Sequence, residues 1–369
     1  MCEESLEFLR ALINTPSPSG FEQKTAGVWR KYTKEYAHGV NGDPLGNSIA
    51  VLAGTQKRQT SEPDALVKFA SNGPDIMLCA HLDEVGLMIH HVDEDGFLYV
   101  SQIGGLDPAV LPGQRISVQN RRGPVPGVVS RPATHLMKDE DQDETTKIHN
   151  LIVDIGAVDK DDALQLVDIG DPIVLDLRYA EMGGGLIVGR GLDDRVGAWC
   201  VAEALRVLAN SKMFSARLFA VASTGEENGA YGATAVTDRI KPQAALAIDL
   251  THATDTPEVS KEKHGDIKLG EGPVMAIGSI TNPIVNDLLV KAAEDNRIPL
   301  QREAAPRWTG TDGDAINMGG GGVATGLVSI PARYMHTPVE VVSKDDLENT
   351  VKLLVAWCEL VSPGMSFDV

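Results

Sequence analysis

Glu226 and Glu227 stand side by side in "ARLFAVASTGEENGAYGA", directly after an apolar run. Neighbouring carboxylates repel unless a cation or a shared proton holds them together. Four more clusters carry groups able to bind a cation. "IMLCAHLDEVG" places His81 and Asp83 two apart, on one side of an extended segment. "GRGLDDRVG" sets Asp193 and Asp194 just before a helix, "LAIDLTHATD" puts Asp249 at a strand end, and "IPARYMHTP" brings His336 after the last strand. In an open α/β sheet, sites assemble at the carboxyl ends of the strands. Two imidazoles and three carboxylates suit Zn²⁺ or a similar cation, with oxygens left to bridge a second. One glutamate can then ligate. Its neighbour stays free as a general base towards water.

Each cluster alone has a plainer reading. An Asp pair before a helix caps it and offsets its dipole. Adjacent glutamates are commonly a solvated turn. His90 and His91 fall in the middle of a strand and read as structural, and His252 reads as a loop residue near Asp249. What singles the set out is joint occurrence. Three other patterns fall away. "GRGLDD" starts like a dinucleotide fingerprint, but Asp194 stands where a small residue belongs and would repel a pyrophosphate. "MGGGGVATG" precedes a strand rather than a helix, so it is no phosphate cradle. Glycosidase carboxyls lie several ångströms apart across the scissile bond, which sequence neighbours do not provide.

The elements that would hold these groups alternate. "SLEFLRALIN" and "FEQKTAGVWRKYTKEYA" have helical apolar stripes. "GNSIAVLAG" and "DIMLCAHLD" follow as short strands. From about residue 85 the texture becomes all-β. "VGLMIHHVDEDGFLYVSQIGG" reads as a hairpin turning at Asp95-Gly96, and "QRISVQNRRGPVPGVVS" as a strand pair around a Pro/Gly turn. "KDEDQDETTK" reads as an acidic surface run, and "DPIVLDLRYAEMGGGLIVG" as more short strands. Near residue 190 strands and helices alternate again to the end. This predicts an α/β fold with helices on both faces of the sheet, and a small β-barrel or sandwich inserted over residues 85–182. Residues 1–84 and 183–369 would form the α/β domain.

The chain has 369 residues, 43% of them hydrophobic, enough for one large core or two ordinary ones. Its formal charge of −19 repels nucleic acid and anionic lipid, and it gathers divalent cations near clustered carboxylates. None of the four cysteines forms a CxxC pair, and Cys79 and Cys200 sit in apolar segments. That predicts reduced thiols rather than a disulfide framework. With neither a signal-peptide pattern nor an apolar run of membrane-spanning length, the expectation is a cytoplasmic protein.

The ordered set "HLDEVG", "GLDDRVG", "GEENGAYGA", "AIDLTHATDTP" and "RYMHTPVEVV" resembles the M42 family of dinuclear metallo-aminopeptidases, and "SPSGFE" near the start extends the likeness over essentially the whole chain. The resemblance implies a mixed central sheet of the zinc-peptidase type. Two divalent ions, zinc or cobalt, would be held by His81 and Asp249 on one side and by Glu227 and His336 on the other. Asp193 would bridge them, and Glu226 would be the general base. Asp83 would hydrogen-bond the far nitrogen of His81 and fix its tautomer. Asp194 would support rather than ligate. The insert would be a dimerisation barrel, and the dimers of such proteins commonly build dodecamers. The substrate would be a short peptide, with no nucleic acid or membrane partner. Two departures stand out: Gly225 where the family usually has Gln, and Asn228 where Val is common. Two rival activities remain alongside. One is an amidohydrolase or deblocking enzyme acting on N-acylated amino acids or small unusual peptides. The other is a non-catalytic, metal-dependent assembly module.

Overall fold

Eight strands form the central sheet of the computed structural model. It describes every residue except 55–57, 60–68, 71–72, 137–145 and 258, and of 58–59, 69–70 and 134 the main chain only. Most of the acidic run 138–147 therefore lies outside the described residues. The strands lie in the order Gly39–Gly42, Ser48–Ala53, Arg217–Ser223, Asp75–His81, Ala244–His252, Ala324–Ala332, Val274–Gly278 and Gln301–Ala305. The middle four are mutually parallel. Antiparallel neighbours flank them, so the sheet is mixed.

Buried strands with period-two alternation must be covered on both faces. In Asp75–His81, Ile76, Leu78 and Ala80 enter one apolar core while Met77 and Cys79 enter another. The first core packs under the helices Glu3–Asn14, Gln23–Thr33, Leu192–Leu208, Pro283–Asn296 and Lys344–Leu360. The second packs under Tyr231–Ile240 and Asp312–Met318. Helices on both faces agree with the sequence reading. Trp29 and Trp199 are fully buried, and their indole N–H groups donate to the carbonyls of Ala198 and Ser5. Truncating such a residue costs about 3–5 kcal/mol.

Between Asp75–His81 and Leu192–Leu208 the chain forms a closed barrel. Its order is Ile152–Asp154, Leu98–Ile103, Gly86–Val92, Pro172–Leu175, Arg115–Asn120 and Gly123–Val129, the last pairing back to the first. It encloses its own apolar core, from Leu87 and Ile89 to Ile173. The predicted hairpin at Asp95-Gly96 is present. The second pair turns differently from expectation: Arg121 and Arg122 make the turn, and Pro124 and Pro126 lie inside the strand. Prolines are tolerated there because Gly123–Val129 meets Ile152–Asp154 only at Val128 and Val129, so no second ladder is broken.

A buried ion cluster ties the N-terminal segment to this framework. The Glu84 carboxylate meets Arg190 at 2.5 Å and Arg195 at 3.0 Å, and accepts the Ser17 N–H at 2.8 Å. Arg195 also donates to the carbonyls of Thr15 and Gly191. No helix among the described residues is long and apolar enough to cross a membrane.

Candidate active site

Parallel register sets Ser223 opposite His81 and Asp249 opposite Ser329. The carboxyl ends of these strands therefore open onto one edge. His81 closes its strand, and Glu226 and Glu227 begin the short turn Glu226–Asn228 just past Ser223. Asp193 sits in the first turn of Leu192–Leu208. His336 follows Ala324–Ala332 with φ of 60°, a left-handed conformation that histidine adopts more readily than most residues.

Asp193 lies between the two imidazoles. Its Oδ1 is 3.3 Å from Nε2 of His81, and its Oδ2 is 3.4 Å from Nε2 of His336. His336 Nε2 also approaches Glu227 Oε1 at 3.5 Å, and His81 Nε2 approaches Glu226 Oε2 at 3.9 Å. Ligand atoms of Asp193, Glu227 and His336 lie within 4.8 Å of one another, as do those of His81, Asp194 and Asp249. Asp193 Oδ1 is buried without a well-aligned hydrogen bond. An orphaned buried carboxylate oxygen is costly unless a cation completes it.

The far nitrogens are held by main-chain carbonyls. His81 Nδ1 is 3.0 Å from the carbonyl of Asp83, nearer than the 3.5 Å to that residue's carboxylate. His336 Nδ1 is 3.2 Å from the carbonyl of Gly105, at the end of the barrel hairpin. The Asp83 carboxylate faces the His81 ring and at the same time holds the next loop: Oδ1 and Oδ2 accept the N–H groups of Glu226 and Glu227, each at 3.1 Å. Asp194 is tied on two sides. Its Oδ2 accepts the His81 N–H at 3.3 Å, and its Oδ1 the Gly197 N–H at 3.2 Å.

Too many acids crowd this edge to ionise together. Burial pushes Glu226 up to about 8, with Asp312 and Glu227 adding to it and His81 opposing. Burial and Asp193 push Glu227 up to about 7. Burial also holds Asp249 and Asp194 well above the usual carboxylate range. Asp193 goes the other way. Burial opposes its charge, yet His336 and His81 keep its carboxyl below the usual range. The hydrogen bond that its ring N–H donates to Asp193 lifts His336 to about 9. Divalent cations would supply the positive charge this cluster lacks.

The cluster forms the floor of a cleft of about 720 Å³. His81 is only 2% exposed but His336 is 35%, so the site opens on the His336 side. Thr251 donates to Glu303 at 2.9 Å on one wall, and Arg307 and Trp308 stand exposed at the rim.

The sequence-predicted residues His81, Asp193, Glu226, Glu227, Asp249 and His336 all line this cleft, with Asp83 buried beneath it. His90 and His91 are exposed on the barrel, where His90 meets Ser101. His252 lies at the cleft's edge, exposed. Sequence reasoning missed Glu340, whose buried carboxylate accepts the N–H of Asp193 at 3.1 Å and of His336 at 3.0 Å. Its one local signal is a lone acid in the apolar "VEVV" four residues after His336.

The chain is similar to known aminopeptidases along nearly its whole length. Residues 65–353 match the family described as M42 glutamyl aminopeptidase. The chain is 34% identical to a lysyl aminopeptidase of Pyrococcus furiosus, over 97% of each chain. It superposes on an aminopeptidase from Desulfurococcus kamchatkensis with a TM-score of 0.87 at 33% identity, covering 98% of this chain and 96% of that one. The TET1 peptidase of Pyrococcus horikoshii, which can assemble into a tetrahedron or a large octahedral shell, matches with a TM-score of 0.81 at 28% identity. That match covers 96% of this chain and 99% of that one.

Proposed function

The chain belongs to the M42 glutamyl aminopeptidase family, and on that premise we propose that it is a dinuclear metal-dependent aminopeptidase releasing N-terminal residues from short peptides. The observation that carries this reading is Asp193 turning one carboxylate oxygen to His81 and the other to His336. His81 and Asp249 would hold one zinc or cobalt ion, Glu227 and His336 the other, and Asp193 would bridge them. The orphaned Asp193 Oδ1 and the excess of buried acids fit such a pair. When bound, two divalent cations acidify water and polarise the scissile carbonyl.

The remaining work falls to side chains. Glu226, not needed as a ligand, takes a proton from the attacking water and passes it to the departing amine. Asp83 holds the main chain of Glu226 and Glu227, and so aims the base. The carboxylate-lined floor attracts the protonated N-terminus of a peptide. We read residues 85–182 as an insert serving assembly, with dimers joining into a larger homo-oligomer, as the likeness to the TET1 peptidase supports. A reducing cytoplasm suits the four free cysteines.

The test pairs turnover with metal content. Glu226→Gln is expected to abolish hydrolysis of aminoacyl reporter substrates while still binding two zinc ions per chain. Asp193→Asn is expected to lose both. Equal metal loss in Glu226→Gln would overturn the assignment of base and ligand. Comparable turnover of N-acetylated and free substrates would replace the aminopeptidase reading with a deblocking one.

A further inference from the structure

Four consecutive amides at the start of the catalytic loop donate to side chains from distant parts of the chain. The Thr224 N–H donates to Asn47 Oδ1 at 3.0 Å, and the Gly225 N–H to Glu22 Oε1 at 3.2 Å. The N–H groups of Glu226 and Glu227 both donate to Asp83. Consecutive N–H groups turned to one side form a positive concavity that favours carboxylate acceptors. Glu22 is 2% exposed and is absent from the cleft lining. The same Oε1 also accepts the Gly20 N–H at 2.7 Å, which anchors the carboxylate in its own turn. Gly225 has φ of 70°, and the Tyr231 ring occupies the space a side chain there would take. The loop therefore has a single seat, clamped between Glu22 and Tyr231.

We propose that Glu22 is a positioning residue for the reaction: through the Gly225 amide it sets where the adjacent Glu226 carboxylate stands. This rests on the reading of Glu226 as the general base. The geometry gives the loop a defined duty. Its four amides are already engaged, so they are not free to hold a developing oxyanion. What they fix is the direction of Glu226. A misplacement of about 1 Å in a reacting group costs about 100-fold in rate, even when its cause lies away from the chemistry. Removing Glu22 should therefore lower turnover without removing any ligand of the cations.

The test compares Glu22→Ala, Glu22→Gln and Thr25→Ala in the full-length, zinc-loaded protein. Thr25 lies in the same N-terminal segment, and among the described residues its hydroxyl donates to the carbonyls of Thr15 and Pro16, so it controls for loosening of that segment. Glu22→Ala is expected to lose about 10–100-fold in kcat, with KM within about twofold and zinc content unchanged. Glu22→Gln keeps the acceptor oxygen and should recover most of kcat. Thr25→Ala should keep kcat. If Glu22→Ala fails to fold, Glu22→Asp, which withdraws the oxygen by one methylene, takes its place with the same expectation. Hydrogen exchange at the amides of Gly225, Glu226 and Glu227 should accelerate in Glu22→Ala whether or not the protein is an aminopeptidase. Unchanged exchange would overturn the clamp. Accelerated exchange with unchanged kcat, or equal losses in Thr25→Ala, would overturn the positioning role. A wild-type protein that hydrolyses no aminoacyl substrate would sink the functional reading and with it the positioning role, leaving the clamp to the exchange result.

Discussion

Glu340 Oε2 accepts the main-chain N–H of Asp193 at 3.1 Å, joining residues far apart in sequence beneath the candidate metal centre. Its other oxygen accepts the His336 N–H at 3.0 Å, so one buried carboxylate sets the spacing of two of the proposed ligands. Partners of this kind are typically worth about 10–100-fold in metal affinity. Glu340→Ala should weaken zinc binding by that order, measured by competition with a chromogenic chelator. Glu340→Gln keeps one acceptor oxygen and should lose less. An alanine variant binding zinc as tightly as wild type would refute this role.

Zinc binding should release protons at neutral pH. The hydrogen bond it donates to Asp193 lifts His336 to about 9, so its ring carries a proton at pH 7 in the metal-free protein. It must shed that proton to ligate. Glu227, pushed up to about 7 by burial and Asp193, is about half protonated there and adds to the release. The release should shrink as pH rises past 9, where His336 is already neutral. Calorimetric titration in two buffers of different ionisation enthalpy reads this directly. Identical heats in both buffers would contradict it.

The Glu84 cluster should dominate acid stability of the N-terminal segment. Burial opposes the charge on Glu84, but Arg190 and Arg195 outweigh it and hold the carboxyl below its usual 4.5. A lowered carboxyl stabilises the fold above its unfolded value, and the contribution fades as pH falls through the folded one. Glu84→Gln leaves two buried guanidiniums undercompensated and should cost about 3–5 kcal/mol at pH 7, by urea denaturation. The gap from wild type should narrow below the usual value of 4.5. A gap independent of pH would mean that packing, not charge, is responsible.

Gly225 and Tyr231 should behave as a coupled pair. Gly225→Gln meets both a left-handed φ and the Tyr231 ring, and should destabilise by about 1–3 kcal/mol. Tyr231→Ala opens that space, so part of the loss should vanish in the double variant. A double-mutant cycle in chemical denaturation measures the coupling. Strict additivity would show that the ring does not limit residue 225.

The sequence by itself determined where chemistry could be. Apolar runs mark the strands, and burial on both faces of Asp75–His81 follows from its continuous apolar run. His81, Glu226 and Glu227 are legible because each sits just where an apolar run ends, and the hairpin at Asp95-Gly96 because its turn chemistry is local. The turn of the barrel's second strand pair is not legible locally, because Pro usually marks a turn; the pairing puts the turn at Arg121-Arg122 and leaves the prolines in a strand with little to lose there. The tertiary structure decided which oxygen faces which imidazole. It alone brought Glu22 and Asn47 against the Thr224–Gly225 amides and Glu340 against those of Asp193 and His336, and laid the Gly105 carbonyl from the barrel against the His336 ring. Apart from the one between Glu340 and His336, those contacts join segments far apart in the chain. They depend on strand order and on the register of the parallel ladders, and no local periodicity encodes either.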